Sequence, residues 1–158
     1  MVADEQPISI LQQRRIEANL IKALLPAFER ELGREKTRRI LTEVIAELAR
    51  RTGEELRQTV PDDTLRSLAS TWEPWLRGDA LEMEVLELSD NAYHFNVRRC
   101  KYAEMYRILG LEDLGYTLSC NRDASLVQGF SDRITLTRTQ TIMEGAPFCD
   151  FRYHRKPE

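Results

Sequence analysis

The chain has 158 residues, of which 42% are hydrophobic and 31% charged, with a formal net charge of −3. That length suits one domain with a core of its own, and the composition is that of a folded protein rather than a disordered one. The mixed, nearly balanced charge offers no basic field for nucleic acid, and no apolar run reaches the roughly 18 residues that would span a membrane.

The first residues, Met1 to Pro7, are acidic and polar, unlike the basic and apolar opening of a signal peptide. A cytoplasmic location is therefore expected, in which the three cysteines stay reduced. Residues 1–8 read as a flexible tail, followed by a single α+β domain over residues 9–158. From Ser9 to Leu32 the pattern is helical, with Ile16, Leu20, Leu24 and Phe28 recurring every fourth residue and Ile21 and Leu25 beside them. Pro26 is expected to kink or shorten this helix, and Gly33 to cap it. A second helix, Arg34 to Arg51, places Ile40, Leu41, Val44, Ile45 and Leu48 on one stripe and is expected to stop at Gly53. Pro61-Asp62-Asp63-Thr64 can open a third, carrying Leu65, Leu68 and Trp72, with Pro74 and Gly78 closing it.

The period then shortens. Leu81, Met83 and Val85 alternate with glutamates, and the slip at Leu86-Glu87-Leu88 suggests a bulge. Ser89-Asp90-Asn91 supplies a turn into a strand with Tyr93, Phe95 and Val97 on one side. A short helix from Tyr102 to Leu109 ends at Gly110. Leu111–Leu118 and Asn121–Gln128 read as further helical turns, interrupted at Gly115 and ended at Gly129. A last hairpin would pair Arg133–Met143 with Phe148–His154 across Glu144-Gly145-Ala146-Pro147. The order predicts N-terminal helices packed on a mostly antiparallel sheet, built from two β-hairpins separated by short helices.

Chemistry concentrates in the second half. In the third strand Ile134 and Leu136 share a face with Arg138, Gln140 and Ile142, while threonines occupy the other. A guanidinium turned toward a core needs an anion, either a side chain or a ligand; a twist or bulge that carries Arg138 to solvent is the other way out. The fourth strand sets Cys149, Phe151 and Tyr153 on one face and Asp150, Arg152 and His154 on the other. If Cys149 joins the Arg138 face, the neighbouring cation would favour its thiolate. Cys100 closes the second strand, and Cys120 precedes Asn121-Arg122-Asp123. The cysteine spacing lacks the short pairs of zinc sites, so no metal is expected; were zinc present, Cys100, Cys120 and Cys149 would be its ligands. No P-loop, Rossmann, G-x-S-x-G or H-E-x-x-H motif occurs.

The run from Asn96, N-V-R-R-C-K-Y-A-E-M-Y-R-I-L-G, continues into E-D-L-G-Y-T-L-S-C-N-R-D, G-F-S-D-R-I-T-L-T-R-T-Q-T-I-M-E-G and C-D-F-R-Y. Over roughly residues 80–155 it resembles the L-2-amino-thiazoline-4-carboxylic acid hydrolase family. The resemblance implies a hydrolase that opens a small cyclic amidine, 2-amino-thiazoline-4-carboxylate, to N-carbamoyl-cysteine. Such chemistry needs a cation for the carboxylate, an acid for the amidinium, and a base or nucleophile at C2. Set against those needs, Arg138 is the expected carboxylate ligand, with Gln140, Asn121 and Arg152 as further binding residues. Asp150 or Asp123 would activate water, and Cys149 or Cys120 would serve as nucleophile. A small-molecule substrate is the expected partner, without nucleic acid or membrane, and the amphipathic helices are compatible with a homodimer although their outward faces read as charged. The element order is also similar to that of the sensor domains named after vinyl reductase. That similarity implies the alternative of a cytoplasmic small-molecule or metal-binding module without turnover.

Overall fold

The computed structural model describes residues 7–157, so most of the expected flexible tail lies outside the described residues. Helix α1 spans Ile10–Leu32 and opens on a capping box, in which the Gln12 backbone N–H donates to Ser9 Oγ (3.2 Å) and the Ser9 N–H to Gln12 Oε1 (3.0 Å). It runs unbroken through Pro26 to the cap at Gly33, where φ is 81°. Pro26 sits on the exposed side, with Ala23 and Ala27 beside it, so its ring meets no packed neighbour and water can satisfy the carbonyl it leaves free. The inward stripe also differs from the expected one. Leu11, Ala18, Ile21 and Leu25 face the protein, whereas Ile16 and Leu20 are each 60% exposed.

Helix α2, Arg34–Gln58, does not stop at Gly53. That glycine is where α2 crosses α7 (Arg122–Phe130), and a Cβ there would lie 1.9 Å from the Leu126 carbonyl oxygen. Gly129 answers it from the other helix, where a Cβ would meet the Arg50 carbonyl oxygen at 1.9 Å. Both glycines, expected to end helices, are instead the points of closest backbone approach. On α2, Ile45 is buried and Leu41 partly so, while Ile40, Val44 and Leu48 face out. Thr64 caps α3 (Leu65–Ser70), and Pro74 opens rather than closes the short α4 (Glu73–Leu76).

Strands β1 (Leu81–Leu88), β2 (Ala92–Cys100), β3 (Ile134–Thr137) and β4 (Cys149–Arg155) form one antiparallel sheet in the order β1-β2-β4-β3. Helices pack on it, as the α+β reading requires. The expected slip appears in β1 between Val85 and Glu87, with a second between Glu82 and Met83. Register sets Tyr93 opposite Tyr153, Phe95 opposite Phe151 and Val97 opposite Cys149. Their core face packs against Leu65, Leu68, Trp72, Val127 and Phe130. The second hairpin is shorter than expected. β3 leaves the sheet after Thr137 because Asp150 captures the next donors: the Thr139 and Gln140 N–H groups at 2.9 Å each and the Thr139 hydroxyl at 2.6 Å. The chain then makes a 3-10 turn at Ile142–Glu144 and a left-handed Gly145.

Between the hairpins lie α5 (Lys101–Ile108), α6 (Glu112–Gly115), a π-helical turn (Tyr116–Cys120) and α7. With the inward side of α1 they enclose a second core of Ala103, Met105, Tyr106, Leu114, Leu118 and Met143. Among the described residues no helix is long and apolar enough to cross a membrane.

The crossing of α2 and α7 yields a direct test. Alanine gains about 1 kcal/mol over glycine in a helix, but a methyl forced against a backbone carbonyl cannot rotate away. Gly53→Ala and Gly129→Ala should therefore each destabilise by about 2 kcal/mol net, read as a lower denaturant midpoint at unchanged slope.

Candidate functional site

A cavity of about 70 Å³ lies where the two cores meet, walled by Arg14, Ala49, Thr52, Trp72, Trp75, Tyr102, Leu126 and their neighbours. Cys100, at the N-cap of α5, opens onto it, as do Ser119 and Cys120 from the π-helical turn and Arg122 and Asp123 from the first turn of α7. The π-helical turn is closed by the Asn121 N–H donating to the Tyr116 carbonyl at 2.8 Å. Nearby carbonyls are met by guanidinium groups. Arg122 Nε donates to the Leu118 oxygen at 2.8 Å, and Arg138 Nη2 to the Cys120 oxygen at 3.0 Å. Such turns recur at functional sites because they displace side chains that a regular helix would hold in line.

Two charge networks meet at this cavity. In the first, Arg14 and Arg122, only 7% and 9% exposed, converge on Glu17. Arg14 Nη1 donates to both Glu17 oxygens at 3.0 Å, and Arg122 Nη2 reaches Glu17 Oε2 at 3.0 Å. Burial first, and then the like charge of Arg14, push the Arg122 guanidinium down to about 10. In the second network Arg138 donates to Asp123 Oδ2 and lies over the rings of Phe151 (5.0 Å) and Tyr116 (5.8 Å). Burial opposes the Arg138 charge but the Asp123 carboxylate outweighs it, so the guanidinium is held cationic. Burial raises the Asp123 carboxyl above its ordinary value, with Arg138 pulling it back.

The expected site residues divide. Cys120 and Asp123 line the cavity, Cys100 joins them, and Arg138 stands behind Asp123 as its partner; the anion anticipated for a buried Arg138 is this side chain. Cys149 is buried on the same sheet face, its Sγ accepting from the Ile142 N–H at 3.2 Å. The expected thiolate is not found there, because burial outweighs Arg138 and raises the thiol. Cys100 is pushed up to about 11 and Cys120 also upward, again first by burial. Asp150 projects from the opposite face of the sheet; burial resists its charge, yet its three donors hold it below the usual carboxylate value. Arg152, on that same face, donates to the Phe95 and Phe151 carbonyls and to Asn96 Oδ1. Gln140 donates to the Phe148 carbonyl, and Asn121 ties the start of α7 to the Thr42 carbonyl of α2. None of these four lines the cavity. Among the described residues no group of three or more His, Cys, Asp or Glu side chains is placed to hold a metal ion, including the conditional Cys100, Cys120 and Cys149 set.

Arg14, Glu17 and Arg122 were not anticipated as site residues. Their signal is a charge inside an apolar stripe: Arg14 lies between Leu11 and Ala18, and Arg122 between Leu118 and Leu126 at four-residue spacing.

Two predictions follow from this burial. Arg138→Gln leaves Asp123 without its cation and should cost about 3–5 kcal/mol of stability at neutral pH. A carboxyl raised by burial binds its proton more tightly folded than unfolded, so that deficit should shrink as pH falls. The native protein at pH 8 should react slowly with a thiol reagent at all three cysteines, and rapidly once unfolded; one fast thiol in the native state would contradict the burial account.

Comparison with solved structures finds the same fold in two settings. The phenol-responsive sensory domain of the transcription activator PoxR, solved with phenol, is 14% identical with a TM-score of 0.55, covering 96% of this chain and 78% of that one. Trafficking protein particle complex subunit 3 from Naegleria fowleri, covalently bound to palmitic acid, is 9% identical with a TM-score of 0.54, covering 92% and 96%. No curated protein sequence matches the chain. The family model for L-2-amino-thiazoline-4-carboxylic acid hydrolase matches residues 13–153, taking in the N-terminal helices that supply Arg14 and Glu17 as well as the motif run of the second half, and the chain therefore belongs to that family.

Proposed function

We propose that the chain hydrolyses a small cyclic carbon–nitrogen substrate bearing a carboxylate, of the kind for which its family is named, in the cavity between α1, α2, α4, α5 and α7. The observation that carries this reading is the unequal charge around the cavity: three buried guanidinium groups, of Arg14, Arg122 and Arg138, against the carboxylates of Glu17 and Asp123. Arg138 is matched by Asp123, whereas Arg14 and Arg122 share one carboxylate, so the surplus positive charge sits with this second pair. A substrate carboxylate there would be met by two desolvated guanidinium groups. This moves the carboxylate ligand from Arg138 to Arg14 and Arg122 and leaves Arg138 as the residue that orients Asp123.

Asp123 then serves as the proton-transfer group. As water adds to C2 of the amidinium, Asp123 accepts one of its protons. As the C2–S bond breaks, Asp123 returns a proton to the departing sulfur. The remaining hydroxyl proton on C2 passes to solvent water when the urea carbonyl forms, which balances the proton that the amidinium carried in. A carboxyl raised by burial suits both halves of that cycle. The raised thiols favour water over cysteine as the nucleophile.

Turnover of 2-amino-thiazoline-4-carboxylate is the test, followed by release of the product thiol. Asp123→Asn should lower kcat by about 10²–10⁴-fold, and Arg14→Gln or Arg122→Gln should act chiefly on KM. Because the working form is the carboxylate, activity should rise with pH through a value above that of an ordinary aspartate, and Asp123→Asn should lose this limb. A second reading is supported by the aromatic wall of Trp72, Trp75 and Tyr102 together with the fold shared with a sensory domain: a binding module without turnover. Saturable binding by calorimetry with no product would favour it and remove the hydrolase assignment.

A further inference from the structure

Helix α1 is apolar on two faces. The inward one carries Leu11, Ala18, Ile21 and Leu25. The outward one carries Ile16, Leu20, Ala23, Leu24, Ala27 and Phe28, a three- and four-residue spacing of the kind that packs against another helix. It ends at Leu32, and α2 adds Ile40, Val44 and Leu48 at four-residue intervals. A helix that needs only one neighbour has a polar outer side, whereas here an apolar stripe runs along it beside the exposed Arg15, Asn19, Lys22 and Arg30.

We infer that α1 and α2 form the interface of a homodimer. Eight large apolar side chains from Ile16 to Leu48 stand 38–60% exposed on these two helices. A large aromatic side chain offers roughly 150–250 Å² and the seven aliphatic ones less, so the eight present at most roughly 600–900 Å² of apolar surface per chain. That ceiling exceeds the roughly 300–600 Å² of the largest patch on a typical monomer and reaches the roughly 800 Å² that each partner contributes to a standard interface. A second copy brings an equal patch, as a two-fold contact requires, and the small Ala23 and Ala27 between Leu20, Leu24 and Phe28 allow close approach of two helices. A lipid surface fits less well, because the flanking charges are of both signs, with Glu29, Glu31, Glu35 and Glu43 interspersed among Arg30, Arg34, Lys36 and Arg39, and they form no continuous basic face for an anionic surface. The inference is independent of the catalytic reading, since none of these eight side chains lines the cavity.

Light scattering on the purified chain reads the outcome. The wild type should have twice the 18.4 kDa chain mass at micromolar concentration. The double variant Leu20→Glu/Leu24→Glu, and separately Val44→Lys, should raise the dissociation constant by at least about tenfold with helical circular dichroism retained. The two variants touch different helices, so if one fails to fold the other still decides. A wild type that is monomeric at high micromolar concentration overturns the inference, as does a dimer that survives both substitutions.

Discussion

Charge removed from water has to be met where it lies, and much of this structure is arranged around that requirement. Arg14, Arg122 and Arg138 are nearly excluded from solvent around a single cavity. A buried guanidinium is costly unless a carboxylate or carbonyl reaches its donors. Glu17 from α1, Asp123 from α7, and the Leu118 and Cys120 carbonyls supply those contacts. Glu17 meets Arg14 within α1 and the Leu118 carbonyl meets Arg122 one turn away, but Arg122 with Glu17, and Arg138 with Asp123 and the Cys120 carbonyl, join separate elements, so those elements have to be docked correctly before all the charges can be matched.

Docking in turn rests on close backbone contact. Gly53 and Gly129 let α2 and α7 approach at a distance that any side chain would prevent. That crossing sets the first turn of α7, with Arg122 and Asp123, against the cavity. From the sheet side, the stacked rings of Phe95 and Phe151 (4.8 Å) and the edge-on Trp72 (6.0 Å from Phe95) form an aromatic floor, with the Arg138 guanidinium 5.0 Å over the Phe151 ring centre. Gly115 belongs to the same design, since a Cβ there would fall 2.3 Å from the Met143 sulfur. The π-helical turn that presents Cys120 begins immediately after it.

The β-hairpin of Leu81–Leu88 and Ala92–Cys100 was legible because alternation of large apolar and charged residues is a local property, and the turn chemistry of Ser89-Asp90-Asn91 is equally local. The faces of the fourth strand were legible for the same reason. The inward side of α1 was not. Large aliphatic residues lie on both sides of the helix, Leu11, Ile21 and Leu25 inward and Ile16 and Leu20 outward, and the core side also holds Ala18 and Arg14, so counting hydrophobic size could not single out the inward stripe. Gly53 and Gly129 look like helix ends in sequence, since the usual role of glycine is local, and only the partner helix explains why they lie inside helices. Asp150 and Asp123 are both acidic residues close to cysteines in the chain. Which of them faces the cavity depended on strand register and on the capture of the Thr139 and Gln140 N–H groups.

What the sequence by itself determined is the α+β order, the sheet-facing residues of β2 and β4, the choice left to Arg138 between a partner anion and solvent, and membership of the family through the motif run of the second half. These follow from short-range periodicity, from residue chemistry, and from motifs contiguous in the chain. Only the tertiary structure decided that the anion is Asp123, that Arg14 and Arg122 share Glu17, and that Asp150 and Arg152 belong to the far face of the sheet. The physical reason is separation along the chain: Glu17 and Arg122 are 105 residues apart, and no local pattern records a contact that exists only once distant helices are packed.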